Sequence, residues 1–173
     1  MTRPPRLVVP GVPLHITQRG VDRGETFIVS EDYAFYRWAL REAAAESECS
    51  VHAYVLMTNH VHLLMTAAKD DGPSLLMKHL GQRYVQYVNR LYGRSGTMWE
   101  GRFRSSIVQQ RAYLLRCHRC IELNPVRAGM VSHPAEYRWS SYRANAGHTT
   151  SSLVTPHAEY LALGNTDQER TGA

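Results

Sequence analysis

The stretch VHAYVLMTNHVHLLMT, residues 51–66, decides the fold because it contains two hydrophobic runs separated by a short polar break. The first run covers residues 51–57 and the second covers residues 60–66, and only Thr58 and Asn59 lie between them. A two-residue connection between two strand-forming segments is typical of a tight antiparallel hairpin. This stretch therefore predicts two neighbouring strands of one sheet.

His60 and His62 lie in the second run and are separated by one hydrophobic residue. Side chains two positions apart on a strand project to the same face of the sheet, so both imidazoles are expected on one face. Neutral imidazole is a common metal ligand, and two adjacent imidazoles supply two ligands of a metal site. The pair is equally compatible with two half-buried strand histidines that bond to backbone carbonyls, so the pattern alone leaves both interpretations open.

Further strand and helix patterns flank this hairpin on both sides. Strand patterns occur at residues 14–20 and 102–109, and helix patterns occur at residues 33–46, 74–92 and 112–123. Ser30 is the expected N-cap of the first helix, and Asn124-Pro125 is expected to end the last one because proline disfavours helix continuation. The order β-α-β-β-α-β-α predicts an α/β (α+β) fold, in which helices pack on an antiparallel sheet with ferredoxin-like split β-α-β connections. We expect one domain over residues 1–145 and a flexible C-terminal tail over residues 146–173.

The composition is that of an ordinary globular domain. Of the 173 residues, 43% are hydrophobic and 20% are charged. No apolar run approaches the roughly 18 residues that a membrane-spanning helix needs. The N-terminal residues lack a hydrophobic segment of signal-peptide length, so we expect a cytoplasmic protein. Three cysteines, an odd number in such a protein, are expected to be free thiols.

The charge balance is basic, with a formal net charge of +5, and every basic side chain except Lys69 and Lys78 is an arginine. Guanidinium groups make bidentate contacts with phosphate and stack on bases. The arginines concentrate between residues 83 and 127, which favours phosphate contact over a solvated helix face. The candidate DNA-binding arginines are Arg83, Arg90, Arg94, Arg102, Arg104 and Arg127. Trp99 fits a base-stacking platform and a core residue equally well.

Three separated blocks make the sequence similar to a known family. They are Asn59-His60-Val61-His62, the segment of residues 81–103 that contains NRLYGRSGTMWEGRF, and CIELNPVRAG at residues 120–129. Together they resemble the single-tyrosine HUH transposases, and within them the REP-associated tyrosine transposases of the IS200-like branch. The resemblance extends from Leu14 to Tyr142, most of the chain.

This resemblance implies a protein that binds single-stranded or hairpin DNA, cuts a strand and rejoins it through a covalent tyrosine intermediate. His60 and His62 would be metal ligands, and Asn124, one helical turn beyond the nucleophile position, would be the third. The implied cofactor is a divalent metal, Mg²⁺ or Mn²⁺, which polarises the scissile phosphate. A monomer and a homodimer are both compatible with the sequence, and no membrane partner is expected.

The sequence departs from the family at the nucleophile position, where Cys120 replaces the expected tyrosine. A thiol ends several bond lengths short of a phenol oxygen, and geometry comes before pKa in judging a catalytic group. The nucleophile is therefore expected to be lost, which leaves a protein that binds hairpin DNA and metal but cuts poorly. A substitute nucleophile, Tyr113, about two helical turns before Cys120, is an alternative.

Two other classes of function stay open at the level of sequence. The first is a catalytically silent regulator that binds DNA hairpins without using the metal. The second is a thiol-redox or metal-binding protein built on Cys117 and Cys120, which form a CxxC motif. A redox CxxC usually begins a helix after a strand, and a zinc site would need two more ligands, so this class is the least favoured.

Overall fold

The computed structural model describes residues 4–173 and contains a four-stranded antiparallel sheet. Its strands are β1 (Leu14–Arg19), β2 (Cys49–Leu56), β3 (His60–Ala67) and β4 (Arg104–Ile107). The spatial order is β2-β3-β1-β4, so the predicted hairpin β2-β3 forms one side of the sheet and β1 pairs with both β3 and β4. The predicted α+β class with a split β-α-β order is confirmed.

Three long helices pack on this sheet, and three short ones follow. They are α1 (Ser30–Glu46), α2 (Gly72–Tyr92), α3 (Arg111–Arg127), α4 (Tyr142–Asn145), α5 (Ala158–Leu161) and α6 (Asp167–Gly172). Helices α1 and α2 contact each other and β2, whereas α3 contacts β2 and β3. None of the helices formed by residues 4–173 is long and apolar enough to cross a bilayer.

Alternation along the strands separates two faces of the sheet. Val61, Leu63 and Met65 of β3 are fully buried and belong to the hydrophobic core. His60, His62 and the other side chains of even number point to the opposite face. Asn145, which packs beside α3, donates to the carbonyl of His52, and the His52 ring bonds to Thr66, an even-numbered residue of β3. Helix α3 therefore lies on that second face. The two histidines and α3 therefore share one face.

The N-terminus of α1 is capped by a residue other than the predicted one. The Asp32 carboxylate accepts hydrogen bonds from the backbone N–H groups of Ile28 at 2.9 Å and Val29 at 3.1 Å. Ser30 is already within the helix, so its prediction as the N-cap was wrong. A carboxylate can reach back from the first turn and satisfy free N–H groups there, which removes the need for a cap at Ser30.

Helix α3 does not end at Asn124-Pro125, as the sequence predicted, but continues through the proline to Arg127. The backbone N–H of Ala128 bonds to the carbonyl of Asn124 at 2.9 Å, which closes another turn beyond the proline. Proline removes one helical hydrogen bond, and the buried position of Pro125 provides packing in its place. Asn124 thus lies inside a regular helix.

The segment of residues 146–173, predicted as a flexible tail, lies against the rest of the protein in the structure. The backbone N–H of Thr155 bonds to the carbonyl of Val51 at 2.8 Å, and Leu153 and Tyr160 are buried. The Tyr160 ring stacks on His118 of α3, with 4.7 Å between the ring centroids. Burial of these apolar side chains holds the segment against the domain. The domain boundary after residue 145 stays a prediction.

Candidate functional site

His60 and His62 lie at the start of β3 with both rings on the face that α3 shares. Their ring centroids are 5.1 Å apart and their planes are nearly perpendicular. The register pairs His60 with Arg19 and His62 with Thr17 of β1, so β1 supplies the neighbours of both rings. The structure therefore confirms the predicted alternation of side chains between the two faces of this strand.

The Nδ1 atoms of both histidines are engaged in hydrogen bonds. His60 Nδ1 lies 2.7 Å from Asn59 Oδ1, and the Asn59 amide nitrogen donates to the carbonyl of Arg23 at 3.1 Å. Because the amide nitrogen is used there, Asn59 Oδ1 must accept, and His60 carries its proton on Nδ1. His62 Nδ1 lies 3.0 Å from His15 Nε2. Within residues 4–173, neither Nε2 of the pair makes a hydrogen bond, which leaves both available as ligands.

Burial keeps this pair in the form that binds metals. It lowers the pKa of His60, with a smaller contribution from the charge of Arg19. Burial also lowers the pKa of His62 to about 4, and the nearby His15, His60 and Arg19 add to the effect. Both imidazoles are thus neutral at pH 7, and a neutral imidazole has the lone pair that a cation requires.

The two histidines open into a cavity of about 580 Å³, which we call the histidine cavity. Its walls come from β1, β3, β4 and the segment before β4, and four arginines line it: Arg6, Arg19, Arg102 and Arg104. Glu100 is the one carboxylate among the described residues that line it. A concave site with this excess of guanidinium groups suits a polyanion such as a nucleic acid strand.

The segment before β4 is held against the end of β1 by backbone hydrogen bonds. The N–H of Glu100 donates to the carbonyl of Arg19 at 2.8 Å, and the N–H of Val21 donates to the carbonyl of Met98 at 2.9 Å. Arg6 donates to the carbonyl of Phe103 at 2.6 Å, and its guanidinium lies over the Phe103 ring. These contacts place Arg102 and Arg104, both predicted from sequence, in the same cavity as the histidines.

Four residues of this site were missed by reasoning from the sequence, namely Arg6, His15, Arg19 and Glu100. Alternation along β1 contained part of the signal, because His15, Thr17 and Arg19 share one face of that strand. The sequence did not show which residues of β1 and β3 pair, and this register puts His15 diagonally opposite His62. The positions of Arg6 and Glu100 depend on loop contacts that no local pattern indicates.

The residues predicted on α3 lie outside the histidine cavity. None of the described residues that line the cavity comes from α3, so Cys120, Asn124, Tyr113 and Arg127 are not brought into it. Cys120 is partly exposed, and Arg127 Nη1 donates to its Sγ at 3.2 Å. Tyr113 is 41% exposed near the start of the helix. Helix α3 lies on the same face as the histidines, beside their cavity rather than within it.

A buried polar cluster fixes the position of α3. Glu122 Oε1 accepts hydrogen bonds from Ser141 Oγ at 2.7 Å and from the Asn145 amide at 2.6 Å. The N–H of Ser141 donates to the carbonyl of Tyr54, which ties the cluster to the edge strand β2. A buried carboxylate with partners of this kind is costly to disrupt, so the helix is firmly anchored. The segment around Ser141 therefore holds α3 against β2.

The environment of Cys117 does not favour thiol redox chemistry. All three cysteines, including Cys49, are free thiols, as predicted. Burial raises the pKa of Cys117 to about 11, with a smaller contribution from Cys120. The thiolate is the reactive form of cysteine, so Cys117 stays protonated and inert near neutral pH.

The remaining candidate DNA-binding residues are dispersed. Arg83 forms an ion pair with Glu46 at 2.5 Å, and it shares a shallow cavity on the outer surface of α1 and α2 with Arg90. Arg94 is exposed in the loop after α2. Trp99 is 5% exposed and lies near Tyr36 and Tyr84, so of its two interpretations the structure favours that of a core residue.

The residues present fit a divalent cation through two ligands. Within residues 4–173, no three His, Cys, Asp or Glu side chains converge on one point, so the histidine pair has no third partner of these types. The two neutral imidazoles with free Nε2 atoms are suitable donors for a first-row metal such as Mn²⁺. A third protein ligand would have to come from an amide such as Asn124 or from a movement of the surrounding segments.

Comparison with known proteins gives one family and a similar fold. The family model described as "Transposase IS200 like" matches residues 9–123. A solved structure of a REP-associated tyrosine transposase bound to a REP hairpin is 17% identical, with a TM-score of 0.71, and covers 91% of this chain and 93% of that one. A Deinococcus radiodurans protein with a provisional transposase assignment is 19% identical, with a TM-score of 0.49, covering 68% and 98% of the two chains. The first likeness supports the fold. No curated protein sequence matches significantly.

Proposed function

The chain belongs to the IS200-like transposase family, and we propose that it is an HUH-type protein that binds single-stranded or hairpin DNA together with Mg²⁺ or Mn²⁺. The histidine cavity is where the DNA strand and the metal would meet. We further propose that Cys120, at the position of the family's tyrosine, leaves strand cleavage weak or absent.

This proposal rests on the histidine pair, whose protonation state and ring positions already suit metal binding. Both rings are neutral at pH 7, both have Nδ1 hydrogen-bonded to a neighbour, and neither Nε2 has a hydrogen-bond partner among residues 4–173. A metal-binding histidine usually has its other ring nitrogen bonded to an oriented partner, which fixes the tautomer and the ring position. Asn59 would play this role for His60, and His15 would play it for His62.

Each residue of the cavity then has a chemical task. His60 and His62 would hold the cation through Nε2, with Asn124 as the proposed third ligand from α3. When bound, the cation would polarise a DNA phosphate and stabilise the charge that develops on it during displacement. Arg102 and Arg104 would hold neighbouring phosphates, and Arg19 would place a further positive charge beside the pair. These guanidinium groups would bind the strand whether or not it is cut.

Position 120 explains why cleavage is expected to be weak. A tyrosine there would extend its hydroxyl several bond lengths beyond the position of the Cys120 sulfur. Cys120 instead accepts a hydrogen bond from Arg127 on its own helix. A cysteine sulfur there would stop short of the place that the tyrosine hydroxyl would occupy, so the reacting atoms would not come within the 3–3.5 Å or so that attack requires.

A hairpin is the proposed form of the DNA. The similar solved protein was bound to a REP hairpin, and this likeness of fold motivates the same class of ligand here. At 17% identity, the likeness does not extend to the sequence of the hairpin. The proposal is therefore restricted to the class of DNA.

Titration of the protein with Mn²⁺, followed by electron paramagnetic resonance, tests the metal site without relying on activity. We expect saturable binding to the wild-type chain and its loss in His60→Ala/His62→Ala. The matched control is His79→Ala/His148→Ala, which removes two histidines outside the cavity and should bind Mn²⁺ like the wild type. Equal binding by all three proteins would refute the metal site.

A regulator that binds hairpins without metal is the second candidate, and the cysteine at position 120 favours it. Its distinguishing property is DNA affinity that does not depend on the histidines. Fluorescence anisotropy with a labelled hairpin DNA in the presence of Mn²⁺ separates the two functions. If the metal takes part, His60→Ala/His62→Ala weakens binding, and if the regulator is correct, the affinity of this variant is unchanged.

A further inference from the structure

A second basic cavity lies away from the histidines, at the outer edge of the sheet. It has a volume of about 470 Å³, and its walls come from α1, the edge strand β2 and the segment of residues 138–153. Four arginines line it, Arg37, Arg41, Arg138 and Arg143, and we call it the arginine cavity. It shares no lining residue with the histidine cavity.

Charge in the arginine cavity is almost uncompensated. None of the described residues that line it is acidic. Glu42 lies beside it and pairs with Arg41 at 3.1 Å, which offsets one of the four positive charges. The other lining groups include hydroxyls, such as Tyr54 and Ser140, and a run of threonines and serines at residues 149–152. Guanidinium and hydroxyl groups are the side chains that bind phosphate oxygens most often.

Local contacts hold the guanidinium groups in place. Arg37 and Arg138 both lie over the Trp139 ring, at 5.1 Å and 4.6 Å from its centroid. Arg143 Nε donates to the carbonyl of Ala135 at 2.6 Å, and only this nitrogen of the group is used in the hydrogen bonds of residues 4–173. Groups ordered in advance lose less conformational entropy when a ligand binds. The cavity is therefore a prepared anion site.

An exposed aromatic ring links this cavity to the neighbouring basic surface. Trp38 is 46% exposed and lines both the arginine cavity and the shallow cavity that contains Arg83 and Arg90. A large exposed aromatic ring between two groups of arginines is the arrangement found where nucleic acid bases stack and their backbone is held by cations. The surface is continuous along the outer side of α1.

We propose that the arginine cavity is a second DNA-binding site, which holds the phosphodiester backbone of DNA outside the histidine cavity. Tyr54 of β2 lines the arginine cavity and pairs with Leu63 of β3, so its side chain points to the same face of the sheet as Leu63. His60 and His62 point to the opposite face and line the histidine cavity. A DNA molecule at the first site would therefore leave the histidines free to act on a strand at the second.

Fluorescence anisotropy with a labelled hairpin DNA, measured without divalent metal, tests this proposal in the full-length chain. Arg41→Gln/Arg138→Gln removes two guanidinium groups whose side chains are exposed, so the fold is expected to tolerate the change. The control Arg116→Gln/Arg119→Gln removes the same charge from exposed positions on α3. We expect a loss of affinity on the order of tenfold in the first variant, a decrease in the log–log salt slope of about 1.5, and a much smaller loss in the control.

Two results would overturn the assignment. Equal losses in the variant and the control would show that only net charge matters. Saturable binding of inorganic phosphate in calorimetry, with DNA affinity unchanged in Arg41→Gln/Arg138→Gln, would assign the cavity to a small anion. Because no metal is present, the outcome is independent of the proposed metal site. Arg102→Gln/Arg104→Gln, which affects the histidine cavity, reports on that site separately.

Discussion

Among single residues, His15 has a role that could not be predicted from its residue type or from its position in the sequence. Its Nε2 lies 3.0 Å from His62 Nδ1, and the two rings stack with centroids 5.2 Å apart. This contact fixes the orientation of the His62 ring, so that Nε2 is the nitrogen left for a metal. In the proposed metal site, His15 is thus a positioning residue.

We predict that His15→Ala weakens Mn²⁺ binding by about 10- to 100-fold, the usual effect of removing a partner of a metal-binding histidine. His15→Gln should retain part of the affinity, because its amide can also bond to His62 Nδ1. Isothermal titration with Mn²⁺ gives both values, and His79→Ala is the control. Unchanged affinity in His15→Ala would remove His15 from the site.

His52 provides a pH dependence of stability that does not involve the metal site. Burial lowers its pKa to about 4, below the ordinary value of 6.5. Its Nδ1 donates to the carbonyl of Thr155 at 2.7 Å, and its Nε2 lies 2.7 Å from the Thr66 hydroxyl. Burial of the ring outweighs the opposing effect of the Thr155 carbonyl on the pKa, so the folded state favours the neutral form. Between these two pH values the unfolded chain binds the proton more readily than the folded one.

The contribution of His52 to stability is therefore complete above pH 6.5 and is lost as the pH falls toward 4. The loss amounts to about 3 kcal/mol at most, from 1.36 kcal/mol per pKa unit. We expect urea unfolding at pH 7, 5.5 and 4 to show a decrease in stability that is smaller in His52→Gln. The same pH dependence in both proteins would contradict this origin.

At the scale of elements, the strands and their faces could be read from the sequence, whereas contacts across elements could not. The β2-β3 hairpin and the alternation of His60 and His62 follow from local pattern, and the structure confirms both. The predicted end of α3 was wrong because the local rule for proline does not include packing, which favours Pro125 at a buried position inside the helix. Trp99 was ambiguous because its flanking residues do not show that Tyr36 and Tyr84 lie beside it.

One contact between elements lies next to the histidine pair, at the turn before His60. Gly20 follows β1, and its N–H donates to the carbonyl of Asn59 at 2.9 Å. A Cβ atom at Gly20 would lie 2.4 Å from the carbonyl oxygen of Gly24 and 2.7 Å from the Thr26 side chain. No L side chain fits without a shift of the backbone there.

We predict that Gly20→Ala destabilises the protein by about 1–3 kcal/mol, as overpacking does, and weakens Mn²⁺ binding through the displaced Asn59. Gly81→Ala is the matched control, because a Cβ there meets nothing within 4 Å and the residue lies inside α2. That change should stabilise the helix by about 0.5–1 kcal/mol. Denaturant unfolding measures both, and a Gly20→Ala protein as stable as the wild type would show that the turn is loose.

At the scale of the whole molecule, the positive charge forms two separate surfaces. The sequence placed the arginines in one segment, residues 83–127, but the fold distributes them. Arg102 and Arg104 join Arg19 in the histidine cavity, whereas the arginine cavity is formed by α1 and the residues after position 137. The clustering of arginines along the sequence therefore predicted a nucleic acid ligand but not the place where it would bind.

The C-terminal segment shows the same limit of sequence reasoning. Its position at the end of the chain suggested a flexible tail, whereas in the structure Leu153 and Tyr160 pack against the domain and Thr155 pairs with β2. Three buried residues, Ala146, Leu153 and Tyr160, are too few to produce a periodic pattern, so only the folded arrangement reveals their partners. The position of α3 relative to the histidines was likewise beyond the sequence, since a resemblance in motifs gives residues and not distances.

The most direct measurement is a cleavage assay on a labelled single-stranded hairpin DNA with Mg²⁺ or Mn²⁺. The wild-type chain is compared with Cys120→Tyr and with Cys120→Phe, which matches the bulk of tyrosine without its hydroxyl. We predict that only Cys120→Tyr cuts the DNA and forms a covalent adduct that survives a denaturing gel. An adduct formed by the wild-type chain, mapped to Tyr113 or another residue, would contradict the loss of the nucleophile at position 120. An inactive Cys120→Tyr protein that still binds DNA and Mn²⁺ would contradict the assignment of that position.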